Sequence, residues 1–235
     1  MNLDDMSIEP NISVFSSTVR NELNWVDIYR PKTVSECILP KRIKAKFESF
    51  VQNNHFPPLL LTGDPGVGKT SIAKALCNDM DFEEYFFNAS RDGNIDLIKK
   101  DIKSIASTLS ILGKKKCIIF DEADGLTKGA QPALRATLEE YSHVRFIFTC
   151  NDKRKIIPAL HSRTSTIEFD VSESEKEEMK DIFSERVFEI LTKENIVFFK
   201  SAVNKIIEKY YPDNRRILNE LQSASALKEI DGGIL

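Results

Sequence analysis

The sequence predicts an α/β protein, a parallel sheet flanked by helices and followed by a small all-α lid, and three features of its 235 residues carry that expectation. Between Phe56 and Asn151, short apolar runs alternate with longer stretches of helical period. One of those runs opens into a glycine-rich turn that leads straight into a helical pattern. After Phe169 the strand-like runs stop and helical spacing takes over.

Composition sets the outer limits. With 41% hydrophobic and 29% charged residues, the chain is ordinary globular material. No apolar run approaches the ~20 residues of a membrane helix. The opening MNLDDMSIEP is acidic where a signal peptide would be basic, so a cytoplasmic protein is expected. A formal net charge of -3 excludes coating of nucleic acid by bulk electrostatics, and any DNA contact must come from a local basic patch. Cys37, Cys77, Cys117 and Cys150 are far apart and lack metal-ligand spacing, which reads as reduced, mostly buried thiols.

Taken in order, residues 1–20 are polar, carry Pro10 and show no period, as expected of a flexible tail. An α/β domain over 21–170 holds the strand-like runs LLLT (59–62), EYFFNAS (84–90), KCIIFDEAD (116–124) and VRFIFTCN (144–151). A boundary near residue 171 follows from the charge of 168–186, with eight acidic and three basic residues. The lid, 171–235, shows helical spacing at Ile182, Phe183, Val187, Ile190 and Leu191 and again at Ala202, Val203, Ile206 and Ile207, with a third helix after Pro212 and Asp213.

The turn is GDPGVGKT, residues 63–70, which fits GxxxxGK[ST] and lies between a strand and a helix as that motif requires. Gly63, Asp64, Pro65, Gly66, Val67 and Gly68 form a cradle whose backbone N–H groups curl around phosphate oxygens at a helix N-terminus, and Ser71 extends it. Lys69 supplies a point charge for the β- and γ-phosphates of ATP, and the Thr70 hydroxyl is a Mg²⁺ ligand. The Asp64 carboxylate would repel a triphosphate unless it faces away.

A second constellation ends the third apolar run, where Asp121 and Glu122 emerge beside the cradle if the two strands are neighbours. Asp121 suits Mg²⁺, and Glu122 suits orienting or deprotonating a lytic water. Asn151 ends the fourth run, where its amide can reach a γ-phosphate and the water; Asn88, also at a strand end, can hold Glu122 in an inactive position.

With these motifs in place the chain resembles the clamp-loader branch of the AAA+ ATPases, notably replication factor C small subunits and the large subunit of T4-like phage loaders. The resemblance covers residues 22–235 and rests on WVDIYRPKTVSECI (25–38), FPPLLLTGDPGVGKTSIAKAL (56–76), NAS (88–90), FDEADGLTKGAQPALRATLEEYS (120–142) and PALHSR (158–163). It implies that Tyr29, Arg30 and Pro31 pack near the adenine and that Asn151 is the first sensor. It also implies that Arg163 reaches a neighbouring subunit's ATP site, that Arg215 or the adjacent Arg216 is the lid sensor, and that Gln131 is a switch between DNA and ATP. The implied partners are other loader subunits in a pentameric ring, a sliding clamp and primer-template DNA, in the host cytoplasm if the source is a phage.

The stretch from Arg91 to Lys116 is locally positive, with seven basic and three acidic residues. A helix from about Ile95 would bury Ile95, Ile98, Ile102 and Ile105 and leave Lys99 and Lys103 together on its outer face. By the resemblance that face follows the DNA backbone, with Arg91, Lys100 and Lys128 as further candidates, and Leu109, Ile111 and Leu112 are candidate clamp anchors. Two alternatives stand beside this reading: another AAA+ motor, such as a helicase loader or branch-migration ATPase, and a nucleotide-binding scaffold that no longer turns over. Two departures from the family are Thr164 in place of a cysteine and an ending at Leu235 without the helical collar domain.

Overall fold

The computed structural model describes residues 24–90, 95–108, 110, 113–127, 129–225 and 229–230. A short helix α1 (Trp25–Ile28) and helix α2 (Lys41–Gln52) precede β1 (Leu59–Thr62), which feeds α3 (Lys69–Asp79). Then follow β2 (Glu83–Asn88), α4 (Ile95–Ser107), β3 (Lys116–Asp121), α5 (Ala130–Glu140), β4 (Arg145–Cys150), α6 (Pro158–His161) and β5 (Ser165–Glu168). The five strands are parallel in the order β2-β3-β4-β1-β5. The fifth, at the sheet edge, was not among the runs picked out in the sequence.

Alternation along β1 explains the layering. Leu59 and Leu61 face a core with Ile43 and Phe47 of α2 and Ile72 and Leu76 of α3. Leu60 points the other way, into a core with Ile98 and Ile102 of α4 and Leu134 and Leu138 of α5. Every residue of β1 is buried, as a central strand covered on both faces must be. On α4, Ile98 and Ile102 are buried as expected and Ile105 partly so; the Ile95 side chain lies outside the described residues. All four cysteines are buried free thiols, and burial pushes Cys37 up to about 12.

The lid is built from α7 (Glu173–Lys193), α8 (Lys200–Tyr210) and α9 (Asn214–Ala224). Ser172 opens α7 with a reciprocal capping box to Glu175, and Asp213 caps α9 by accepting from Arg216 N at 3.0 Å. Helical period gave no sign of one addition, a two-residue parallel pair between β6 (Val197–Phe198) and β7 (Glu229–Ile230). Trp25, assigned by sequence to the α/β domain, packs instead in the lid core with Phe183, Val187, Ile206 and Leu221. Its N–H donates to Gln222 Oε1 at 2.9 Å, and the Tyr29 hydroxyl donates to Glu194, so α1 is fastened to the lid. Among the described residues no helix is long and apolar enough to cross a membrane.

Candidate functional site

A cleft of about 1210 Å³, its mouth included, runs between the carboxyl ends of the strands and the lid. At one end it is floored by Pro65, Gly66, Val67, Gly68, Lys69, Thr70 and Ser71. Gly66 and Gly68 adopt φ of +82° and +94°, left-handed values that turn the loop into the first residue of α3. A Cβ on Gly66 would lie 2.4 Å from Asp213 Oδ1, so the lid's third helix rests directly on the loop. At Gly68 a Cβ would meet nothing within 4 Å, leaving an open cradle at a helix N-terminus.

Lys69 is buried, and its ammonium donates to the carbonyls of Gly63 (2.8 Å) and Asp64 (2.7 Å) and to Asn151 Oδ1 (3.0 Å). Burial lowers its pKa, opposed by Cys150, Asp121, Asp124 and Asp64. Gly63 and Asp64 do not line the cleft; they border a polar hollow with Asp152 and Glu168.

The acidic end is organised differently from the sequence expectation. The strands of the cradle and of Asp121 are not neighbours, because β4 lies between β1 and β3. The N-terminus of α3 nonetheless spans the gap, and Thr70 Oγ1 donates to Asp121 Oδ1 at 2.6 Å. Thr149, on the intervening strand, donates to the same oxygen at 2.7 Å and accepts from Glu122 N at 3.1 Å. Sequence reasoning missed Thr149; its signal was a polar residue inside an apolar strand. Glu122 lines the cleft with φ 54° and ψ 45°, a left-handed conformation costing a non-glycine residue roughly 1–3 kcal/mol.

Asn88 pairs in register with Asp121, and its side chain accepts from Ser90 N at 3.0 Å, outside the cleft lining. Gln131 is buried and joins α5 to the loop after Asn151, donating to Lys155 O at 2.9 Å and accepting from Ile157 N at 2.7 Å.

The far end of the cleft is apolar, lined by Val26, Tyr29, Pro31, Ile38, Leu39, Phe183, Ile190 and Leu218, with Arg30 at its edge. Arg30 is held by Asp27 at 2.6 Å. The two adjacent lid arginines are placed differently: Arg215 lines the cleft, whereas Arg216 lies 4.2 Å over the Tyr210 ring and 3.9 Å from Glu220. Arg186 and Asn214 also line the cleft and were not foreseen; Asn214 Oδ1 is buried without a hydrogen-bond partner among the described residues. Arg163 is not part of the lining and pairs with Glu139 of the same chain.

Lys99, Lys100 and Lys103 are exposed on α4. Arg91, Leu109, Ile111, Leu112, Lys128 and the tail 1–20 lie outside the described residues.

The cradle, the acidic strand end and the helices that cover them have the arrangement of an AAA domain: residues 59–172, just under half of the chain, match the family "ATPase family associated with various cellular activities (AAA)". The chain's relatives include replication factor C and phage loader subunits. It is 37% identical to the replication factor C small subunit of Methanococcus maripaludis, over 87% of this chain and 65% of that protein. Identity is again 37% to the probable replication factor C subunit 5 of Dictyostelium discoideum, over 90% of this chain and 62% of that one. With the sliding-clamp-loader large subunit of Escherichia phage RB69 it is 38%, over 88% and 66%. The chain thus spans a little under two thirds of the length of these relatives. The RuvB Holliday junction branch migration motor of Thermotoga maritima superposes with a TM-score of 0.65 at 20% identity, covering 87% of this chain and 70% of that one, a likeness of fold alone.

Proposed function

We propose that this chain is an ATP-hydrolysing subunit of a sliding-clamp loader, coupling ATP binding and hydrolysis to the opening of a polymerase processivity clamp and its placement on primer-template DNA. The observation that carries this reading is a single cleft joining phosphate cradle, acidic strand end and lid arginine, in a chain similar over 87–90% of its length to replication factor C and phage loader subunits. Tyr29 and the apolar end receive the adenine, and the cradle with Lys69 receives the phosphates. Among the described residues no cluster of three or more carboxylates, histidines or cysteines could hold a metal. Mg²⁺ takes one or two protein oxygens and leaves its other positions to water and phosphate, and the Thr70 hydroxyl and Asp121 carboxylate, 2.6 Å apart, offer two. Thr70 and Asp121 are the residues that would hold it, and bound there it would neutralise phosphate charge. Glu122 orients or deprotonates the lytic water, Asn151 hydrogen-bonds it, and Arg215 follows the phosphates as the lid closes.

Arg163 serves a neighbouring subunit's phosphates, and Gln131 and Asn88 relay contact with DNA to Glu122. DNA runs along the exposed Lys99, Lys100 and Lys103 face of α4, with Arg91 and Lys128; Leu109, Ile111 and Leu112 anchor the clamp. Partner subunits complete the ring, in the cytoplasm of the cell or infected host. Such DNA contacts are phosphate contacts, so they carry salt dependence rather than base preference. With ATP present, the Lys99→Ala/Lys103→Ala variant is expected to bind primer-template DNA more weakly, with the slope of log affinity against log salt reduced by about 2. An unchanged slope, measured by fluorescence anisotropy across a salt series, removes α4 from the DNA path.

A further inference from the structure

We infer that Glu139 is the positioning residue for Arg163, fixing where that arginine stands when a neighbouring copy docks; this rests on the reading that Arg163 serves the neighbour's site. Glu139 Oε1 accepts from Arg163 Nε at 2.5 Å and lies 2.5 Å from its Nη2. On the opposite edge, Nη1 donates to Ala159 O and to Ser162 Oγ, each at 3.2 Å. A guanidinium has five N–H donors in one plane, and these contacts hold it on two edges. Its side chain is still 29% exposed, enough for a partner to reach.

The carboxylate that does this holding stands on a fixed element. Glu139 lies near the end of α5, whose beginning is pinned through Gln131 to Lys155 O and Ile157 N, the segment leading into α6 and Arg163. Arg135 Nε lies 3.8 Å from the same Glu139 oxygen and adds a second cation to it. Arginine has many rotamers when free, and a partner's site gains from it only if it is already oriented. Nothing in the motif PALHSR signals this, because the partner sits 24 positions upstream.

The test uses the full chain with ATP at protein concentrations that span self-association, comparing wild type, Arg163→Ala, Glu139→Ala, Glu139→Asp and the Glu139→Ala/Arg163→Ala pair. Glu139→Ala is expected to lower kcat about tenfold with KM within about twofold, because the loss falls on the transition state. Glu139→Asp should recover part of the loss, and the double variant should be no worse than Arg163→Ala. Mixing Glu139→Ala with Glu122→Gln copies supplies an intact arginine from chains that cannot turn over; the mixture should exceed the sum of its parts, which a folding defect would not produce. Wild-type or raised kcat in Glu139→Ala beside an impaired Arg163→Ala overturns the proposal alone, as does an additive double variant or a mixture that shows no gain. A silent Arg163→Ala overturns the reading of Arg163 in trans, and this proposal with it.

Discussion

Lys69→Ala is expected to abolish measurable ATP turnover and to weaken ATP binding by about 10- to 100-fold, the loss of one charge-assisted contact worth roughly 1.5–3 kcal/mol. The side chain seats an ammonium inside the cradle, held by two loop carbonyls and Asn151 at 2.7–3.0 Å. Its three N–H donors are held by these protein acceptors, so an arriving phosphate exchanges with one or more of them while the charge stays in the cradle. Truncation has an opposite, smaller effect on folding. Three acceptors lose their donor, but the cost of burying a charge is removed as well, and the cleft is open enough for water to replace the ammonium. Thermal melting of the variant should lie within a few degrees of wild type, and titration with a fluorescent ATP analogue checks the binding loss directly. Turnover near the wild-type rate would remove Lys69 from the site.

Glu122→Gln separates chemistry from binding. The left-handed backbone at Glu122 is tied through its N–H to Thr149, which is itself bonded to Asp121, so the replacement keeps shape and backbone while removing the base. The expected result is ATP affinity within about threefold of wild type and a kcat lower by about 10²–10⁴, the range typical of a lost general base. Single-turnover hydrolysis against equilibrium binding distinguishes this from Lys69→Ala, where both quantities fall. A Glu122→Gln chain that hydrolyses ATP normally would mean that Glu122 does not activate water.

How much of this could be read from the sequence depends on the range of the interaction. The cradle was legible because its chemistry is consecutive, residues 63–70 between a strand and a helix. Four strands were legible because their apolar runs are bounded by helical patterns, whereas β5 is a four-residue edge strand with only Ile167 fully buried. Asp121 was expected beside the cradle if their strands were neighbours; it meets Thr70 across an intervening strand, a fact of strand order and not of spacing. Arg215 and Arg216 are the same residue type side by side, and only the contacts of Arg216 with the Tyr210 ring and Glu220 separate their placement. Trp25 on the lid, Thr149 beneath the acidic pair and Glu139 under Arg163 all depend on contacts distant in the chain, where periodicity carries no information.

Steady-state ATP hydrolysis, measured with and without primer-template DNA and a cognate sliding clamp alongside Lys69→Ala and Arg163→Ala, addresses the loader reading most directly. The account predicts strong stimulation when DNA and clamp are both present, lost in both variants. Hydrolysis indifferent to both ligands would contradict it.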